Sequence, residues 1–294
     1  MSLISFLNHT DIRDRFKKEF KKDRFLIKKD MVAPPLTTDY ATVGTAFDYL
    51  LRFYVQYLNP NNCIAEKPWV AEMVDEGFSR LNRIRSLHAE KHRIAEMVEE
   101  EEAYALLDES AFKCREIILN AKNNLHIFLK NGVISDDLIK SALMLATIDP
   151  VYRAGVGYEN IGIVNKGDVP DLKNLISAVD KNIFTAKNLS ILNPTFGSAS
   201  ELVGGADADL VIDDTIIDIK TTKKLALDRN HFNQLLGYYT LYCISGFDGI
   251  NYKPEINNIA IYFSRYAYLH VIPLSKVIDY STFPMFIEWF KKRA

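Results

Sequence analysis

The sequence is poor in the features that mark membrane, secreted and disulfide-bonded proteins. It has three cysteines in 294 residues, and they are too widely spaced to form a metal-binding pair or a disulfide framework. No apolar run approaches the ~20 residues that cross a bilayer, and the first residues soon become charged, so we expect neither a secretory signal nor a membrane partner. The net charge is −2, which gives no support to nucleic-acid binding. These absences favour a cytoplasmic globular protein, and the 48% of hydrophobic residues is ordinary for a protein with a sizeable core.

The most informative segment of the chain predicts a β-hairpin with its turn at Asp213-Asp214. The strand pairs that follow from this turn are Ile212–Thr215, Val211–Ile216 and Leu210–Ile217. One step further on, Asp209 lies opposite Asp218. Because side chains alternate between the faces of a strand, Asp209, Asp218 and Lys220 share one face of the hairpin.

The two opposed carboxylates predict a cation site. Like charges directly opposite on a sheet are destabilising, because their Cβ atoms are only ~4.5–5.5 Å apart. A cation between them would reverse the sign of that interaction, and hard ions such as Mg²⁺ prefer carboxylate oxygens. An alternative remains, because Asp207 lies opposite Lys220 in the same register and could form a purely structural ion pair with it.

This arrangement resembles the PD-(D/E)XK nuclease superfamily. Asp209 matches the first acid of the motif, and Asp218-Ile219-Lys220 matches its acid-x-Lys element. The resemblance implies an α/β fold with a restriction-endonuclease-like core, in which helices flank a mixed central sheet. It also implies Mg²⁺ or Mn²⁺ as the cofactor, bound by the carboxylates of Asp209 and Asp218 and by the main-chain carbonyl of Ile219.

A second element points to the RecB-like branch of the superfamily. Gln234 and Tyr238 resemble its Gln-x-x-x-Tyr element and, being four residues apart, share one face of a helix predicted from Asp228 to Ile244. A hairpin predicted over Ile256–Phe263 and Ala267–Pro273 follows, as it does in that branch. Some members carry an iron–sulfur cluster held by four cysteines, which three cysteines cannot supply.

A third element lies near the start of the chain and departs from the family pattern. The segment Gly44-Thr-Ala-Phe-Asp48 resembles the Gly-Thr-x-x-His element, with Asp48 where histidine is usual. Asp48 is therefore a candidate metal ligand, or else a carboxylate that complements the dipole near the start of a helix predicted over Gly44–Tyr57. Many members also have a glutamate upstream of the hairpin. Here Asn193-Pro-Thr-Phe196 holds that place and Glu201 is the nearest acid, so this ligand is not identified.

The resemblance also assigns roles in hydrolysis. Lys220 would orient or deprotonate the attacking water, or balance charge on phosphorus, and we expect burial beside a metal to lower its pKa. Gln234 would position the substrate or the lysine. After Lys220, the positively charged segment with Thr221, Lys223 and Lys224 could contact a phosphate backbone, and a basic strand end exposed to solvent explains it equally well. Tyr238 is the fourth candidate for substrate binding, although core packing is the favoured interpretation for most of its ring.

The expected function is metal-dependent cleavage of DNA in repair, recombination or defence against foreign DNA. RecB-like relatives often act at ends, so an exonuclease is the first choice. The alternatives are a structure-selective or restriction-type endonuclease, and a nuclease-like module that binds nucleic acid without cutting it. No helicase motif is present, so a helicase or recombination partner would be a separate chain.

The domain organisation predicted is one nuclease domain over residues 1–294 with a helical insertion at about 60–150. The segment Glu66–Thr147 is rich in helix-forming residues, and Asp149-Pro150 is expected to end it.

Overall fold

The structure is a computed structural model that describes residues 2–22, 24–65, 68–74, 77, 98–154 and 158–294. The chain divides into two compact units. The sheet unit comprises Met1–Pro34, Leu58–Ala65 and Ala178–Ala294, and the helical unit comprises Pro35–Tyr57 and Glu66–Ser177. Within the described residues, no helix is both long enough and apolar enough to cross a bilayer.

The helices and strands are, in chain order, α1 (Leu3–Leu7), α2 (Thr10–Glu19), α3 (Tyr40–Leu58), β1 (Cys63–Ile64), α4 (Val98–Asn131), α5 (Asp136–Ala154), α6 (Asp168–Ser177), α7 (Lys181–Phe184), β2 (Ser190–Leu192), α8 (Ser198–Leu202), β3 (Leu210–Ile212), β4 (Thr215–Lys220), α9 (Arg229–Ser245), β5 (Asn258–Phe263), β6 (Tyr268–Pro273) and α10 (Phe283–Arg293). The predicted α/β class is confirmed, because helices accompany a mixed sheet.

The strands described form a six-stranded sheet in the order β1-β2-β3-β4-β5-β6. Pairs β1–β2 and β4–β5 are parallel, and the other neighbours are antiparallel. The parallel pair β4–β5 is joined through α9, as a parallel pair requires a crossover connection. Strand β4 therefore lies inside the sheet, and both of its faces are covered.

The predicted hairpin with its turn at Asp213-Asp214 is confirmed. Strands β3 and β4 pair in the expected register, with Leu210 opposite Ile217, Val211 opposite Ile216 and Ile212 opposite Thr215. Asp213 takes a positive φ of 50° at the turn, a conformation that Asp tolerates better than most residues. The predicted hairpin of β5 and β6 is also confirmed.

One face of the sheet packs on helices drawn from both ends of the chain. Val211, Ile216 and Ile259 are buried in a cluster that also contains Phe16 of α2 and Phe286 of α10. Helix α1 packs on α9, where Gly237 lets it approach closely. A Cβ at Gly237 would lie 3.1 Å from the side-chain methyls of Leu3.

The helical unit differs from the predicted insertion at three places. Cys63–Ile64 form the edge strand β1, paired with Ser190 and Ile191, so the insertion does not begin at residue 60. Helix α5 continues through Pro150 to Ala154; the Tyr49 hydroxyl donates a 2.8 Å hydrogen bond to Asp149 and fixes this turn. The unit also takes in Pro35–Tyr57 and extends to Ser177. Of the predicted helical segment, residues 66, 67, 75, 76 and 78–97 lie outside the described residues.

Candidate active site

The two carboxylates of the hairpin lie on the face of the sheet that α9 covers. Asp218 is 1% exposed and lies in β4, two residues before its end. Asp209 lies directly before β3 and is partly buried. Its Oδ2 accepts the main-chain N–H of Ile219 at 2.5 Å. Strand β3 begins at Leu210, so it is the side chain of Asp209, and not its main chain, that hydrogen-bonds to β4. This hydrogen bond holds the Asp209 carboxylate near Asp218.

Lys220 is the counter-ion of Asp218. Its Nζ lies 2.8 Å from one carboxylate oxygen and 3.0 Å from the other. Burial alone would lower the pKa of Lys220, but the nearby charges of Asp218 and Asp209 outweigh burial and raise the pKa above its usual value. The two carboxylates therefore keep the lysine protonated, and the lowering expected beside a bound metal stays a prediction.

Gln234 and Tyr238 continue this cluster into α9. Lys220 Nζ donates to Gln234 Oε1 at 3.3 Å, and Gln234 Nε2 donates to the Tyr238 hydroxyl at 2.7 Å. The Tyr238 ring is buried and stacks on Phe196, with centroids 5.7 Å apart and an angle of 17° between the rings. Burial, followed by the charge of Asp218, raises the Tyr238 pKa well above its usual value, so the phenol is neutral. The Tyr238 ring is therefore packed in the core, as expected for most of it, and its hydroxyl holds Gln234; its part in substrate binding stays a prediction.

The start of α9 explains why Gln234 reaches the lysine. Asp228 caps the helix, and its Oδ1 accepts the N–H of His231 at 2.9 Å. From this start, Gln234 and Tyr238 fall one turn apart on the face towards β4. The predicted helix from Asp228 to Ile244 is thus confirmed to within one residue at each end.

The residues after Lys220 divide into an anchored group and an exposed group. The Thr221 hydroxyl accepts a 2.9 Å hydrogen bond from Ser264, which holds the end of β4 to the segment after β5. The side chains of Lys223 and Lys224 are exposed, while the main-chain carbonyl of Lys223 accepts from the Tyr266 hydroxyl at 2.5 Å. The two lysines are therefore the members of the predicted substrate-binding set that lie at the surface.

Asp48 lies in the helical unit, within α3. Because α3 begins at Tyr40 and not at Gly44, Asp48 is in the third turn, beyond the reach of the helix dipole. The dipole interpretation is therefore wrong. Asp48 Oδ2 pairs with Arg52 Nη2 at 2.5 Å, and its role as a metal ligand stays a prediction from the sequence.

The donor atoms at the hairpin suit a small hard cation. The carboxylates of Asp209 and Asp218 and the carbonyl of Ile219 are all oxygen donors, and Mg²⁺ binds through one or two carboxylates while keeping several waters. Across the described residues, no group of three or more His, Cys, Asp or Glu side chains could hold a metal ion. The main chain of Asp207 pairs with Thr195 in an isolated β-bridge. Lys220, for which Asp207 was the alternative partner, contacts Asp218. A Mg²⁺ ion here would therefore depend on water or substrate oxygens for its other ligands.

A cleft of about 240 Å³ opens beside Lys220 and Gln234 and was not predicted from the sequence. Its remaining wall comes from the α1 segment and from the first turns of α9: Ile4, Leu7, Asn8, Asn230, His231 and Asn233. The lining residues from α9 could have been predicted from the sequence, since Asn230, Asn233 and Gln234 follow the i, i+3, i+4 spacing of one helical face. The lining residues from α1 could not, because the contact of α1 with α9 joins segments that are distant in sequence.

Together the fold and the site define an α/β protein with a mixed sheet and a cluster of two carboxylates, a lysine and a glutamine at the carboxyl end of an interior strand. No protein-family model, curated protein or solved structure matches this chain.

Proposed function

We propose that this protein is a Mg²⁺- or Mn²⁺-dependent nuclease of the PD-(D/E)XK type that hydrolyses phosphodiester bonds in DNA. The observation that carries the proposal is the contact of Lys220 with both Asp218 and Gln234. These residues come from separate parts of the motif, 14 positions apart along the chain, and a nuclease of this class requires them together. Its setting would be DNA repair, recombination or defence against foreign DNA in the cytoplasm.

Each residue of the cluster has a role in this chemistry. Asp209, Asp218 and the Ile219 carbonyl would hold the cation, which would lower the pKa of a bound water and polarise a phosphoryl oxygen. Lys220 supplies a compact positive charge close to that place, suited to balance the charge that develops on the phosphoryl oxygens. Gln234 holds the ammonium in position through its Oε1, and Tyr238 fixes the amide from behind.

The restriction-endonuclease-like core and the RecB-like branch belong to the same proposal. The sheet has an antiparallel hairpin that carries the acids, next to a parallel strand reached through the glutamine helix, which agrees with that architecture. Exonuclease action is preferred because of the Gln-x-x-x-Tyr element. Lys223 and Lys224, exposed beyond the end of β4, are suited to contact a phosphate backbone.

The decisive assay uses linear and circular DNA, single- and double-stranded, with Mg²⁺, Mn²⁺ or EDTA. The proteins compared are the wild type, Asp218→Asn, Lys220→Met and, as a control, Lys292→Met at an exposed position of α10. We expect cation-dependent cleavage by the wild type and the control, and a loss of ~10²–10⁴-fold in each active-site variant. Cleavage of linear but not circular DNA would identify an exonuclease, and opening of circles an endonuclease. Equal rates in Lys220→Met and the wild type would contradict the proposal.

A second candidate is a nucleic-acid-binding module without catalysis. It is favoured by one observation, the close ion pair that Lys220 forms with Asp218, because such a pair can stabilise a fold without any chemistry. This candidate predicts DNA binding with no cleavage in any cation, and binding that Mg²⁺ does not change.

A further inference from the structure

The cleft beside Lys220 has two chemically different walls. Ile4 and Leu7 are three residues apart on α1 and present an apolar surface, of which Ile4 is 53% exposed. The rest of the lining is polar and comes from Asn8 after α1 and from amide and imidazole side chains of α9, with Asn230 exposed and His231 partly exposed. The lysine and glutamine of the active-site cluster complete the lining. A ligand in this cleft would therefore have an apolar flat side, a hydrogen-bonding edge, and an end close to Lys220.

Asn233 is an independent indication that the cleft receives a ligand. It lines the cleft and is 1% exposed, and its amide oxygen has no hydrogen-bond partner among the described residues. A buried polar atom without a partner destabilises the folded state, so each such atom in a folded protein calls for an explanation. A donor on a bound ligand would satisfy this oxygen.

The size and chemistry of the cleft indicate one class of ligand. A volume of about 240 Å³ is smaller than the ~300–1,000 Å³ of pockets for drug-sized molecules, and suits one planar ring system. Enzymes that read an unstacked nucleobase hold it between apolar side chains and hydrogen-bond its edge, and Asn is a side chain that pairs with a base edge.

We propose that this cleft binds an unpaired nucleobase next to the phosphate that is cut, with Asn233 reading its edge and Ile4 and Leu7 packing on its face. The proposal rests on the nuclease function proposed above. It names the substrate class of that site, because a base enters such a cleft only from single-stranded DNA or from a frayed end. Duplex DNA without free ends would have to lose a base pair first.

The test uses oligonucleotides with a single cleavable phosphodiester, next to which the nucleotide is either normal or abasic. The proteins are the wild type, Asn233→Ala, Ile4→Trp, which narrows the mouth of the cleft, and Asn251→Ala as a control at an exposed loop position. Binding of deoxynucleoside 5′-monophosphates, measured by calorimetry in EDTA, tests the cleft independently of cleavage. Urea unfolding of each variant reports any structural effect.

For the wild type and the control we expect kcat/KM on the abasic substrate to be about 5- to 100-fold lower, the range that base stacking supplies. In Asn233→Ala the preference for the normal substrate should fall by about 2- to 10-fold, with monophosphate binding weakened. The urea midpoint should not fall, because the variant removes a buried oxygen that has no partner. In Ile4→Trp both the preference and monophosphate binding should fall.

Cleavage by the wild type with equal kcat/KM on normal and abasic substrates would overturn the cleft assignment and leave the nuclease function standing. No cleavage by the wild type, together with monophosphate binding that Asn233→Ala weakens, would overturn the nuclease function and support a nucleobase site. Failure of both measurements would overturn both proposals.

Discussion

The ion pair of Lys220 and Asp218 predicts a specific pattern of stability changes. Removing one partner of a buried pair typically costs ~3–5 kcal/mol, because the other charge stays in a medium of low dielectric. Asp218 is 1% exposed but the Lys220 side chain is 24% exposed, so the ammonium keeps part of its hydration. We therefore expect Lys220→Met to lower the free energy of unfolding by about 2–3 kcal/mol, more than an exposed pair would lose.

Lys220 and Asp218 do not contribute equally to stability, and a double-mutant cycle would measure the difference. Asp218→Asn leaves a lysine that can turn towards solvent, so its loss should be smaller, about 1 kcal/mol. Lys220→Met leaves Asp218 buried and facing the carboxylate of Asp209. The double variant should therefore lose little more than Asp218→Asn alone, with a coupling energy of about 2 kcal/mol.

Urea unfolding in EDTA measures all four proteins of the cycle. The matched control is the pair of Lys173 and Asp136, which has a similar distance of 2.9 Å but side chains 56% and 59% exposed; its coupling should stay below about 1 kcal/mol. Losses at Lys220 and Asp218 that add to within ~0.5 kcal/mol would refute the reasoning. Repeating the series in Mg²⁺ adds a second check. Lys220→Met should bind the ion more tightly than the wild type, and at ten times its dissociation constant the ion contributes about 1.4 kcal/mol.

Three further predictions concern the surroundings of the site. Tyr238→Phe removes the hydroxyl to which Gln234 donates. The buried amide of Gln234 then lacks a partner, so the free energy of unfolding should fall by about 1–2 kcal/mol and cleavage should slow. An unchanged free energy of unfolding together with an unchanged kcat would contradict the role given to the tyrosine. Burial alone would raise the pKa of Asp213, but three main-chain N–H groups in residues 187–189 outweigh it and lower the pKa. Asp213→Gly, which keeps the positive φ, should therefore cost about 2 kcal/mol at pH 7. The difference from the wild type should shrink as the pH falls from about 4 through the lowered pKa of Asp213; a difference that does not change with pH would be inconsistent with this. Asp48→Asn should lower the free energy of unfolding by about 1 kcal/mol through the loss of the ion pair with Arg52. A Mg²⁺ titration of cleavage tests whether Asp48 also binds metal: loss of a metal ligand would shift the midpoint of the titration, and superimposed curves for the variant and the wild type would exclude that role.

The parts of the site that could be predicted are those governed by local periodicity. Strands β3 and β4 alternate with a period of two around a short polar turn, so their register follows from the sequence. Helix α9 begins at a capping aspartate, Asp228, which sets the angular position of Gln234 and Tyr238. The contact between Lys220 and Gln234 then follows from the packing of one helix on one strand.

The parts that could not be predicted depend on contacts between distant segments. Strand β1 is two residues long, and Cys63 pairs with Ser190 far along the chain; no local pattern marks so short a strand. The apolar wall of the cleft comes from α1, whose approach to α9 depends on the absence of a side chain at Gly237. The pKa of Lys220 could not be predicted in direction, because burial and two nearby carboxylates oppose one another and only their distances decide the sign.

The packing of α2 on α10 has a consequence for the newly made chain. Glu19 accepts a hydrogen bond from Thr282, 263 positions later, and Phe16 packs on Phe286 with ring centroids 5.2 Å apart. At ~5–20 residues per second of synthesis, roughly 15–50 s pass between the synthesis of α1 and α2 and the synthesis of the residues that cover their apolar faces. During that interval the apolar side chains of α1 and α2 are exposed to solvent and prone to aggregation. Yield in a cell should therefore respond to chaperone supply and to growth temperature more strongly than the stability of the finished protein would suggest.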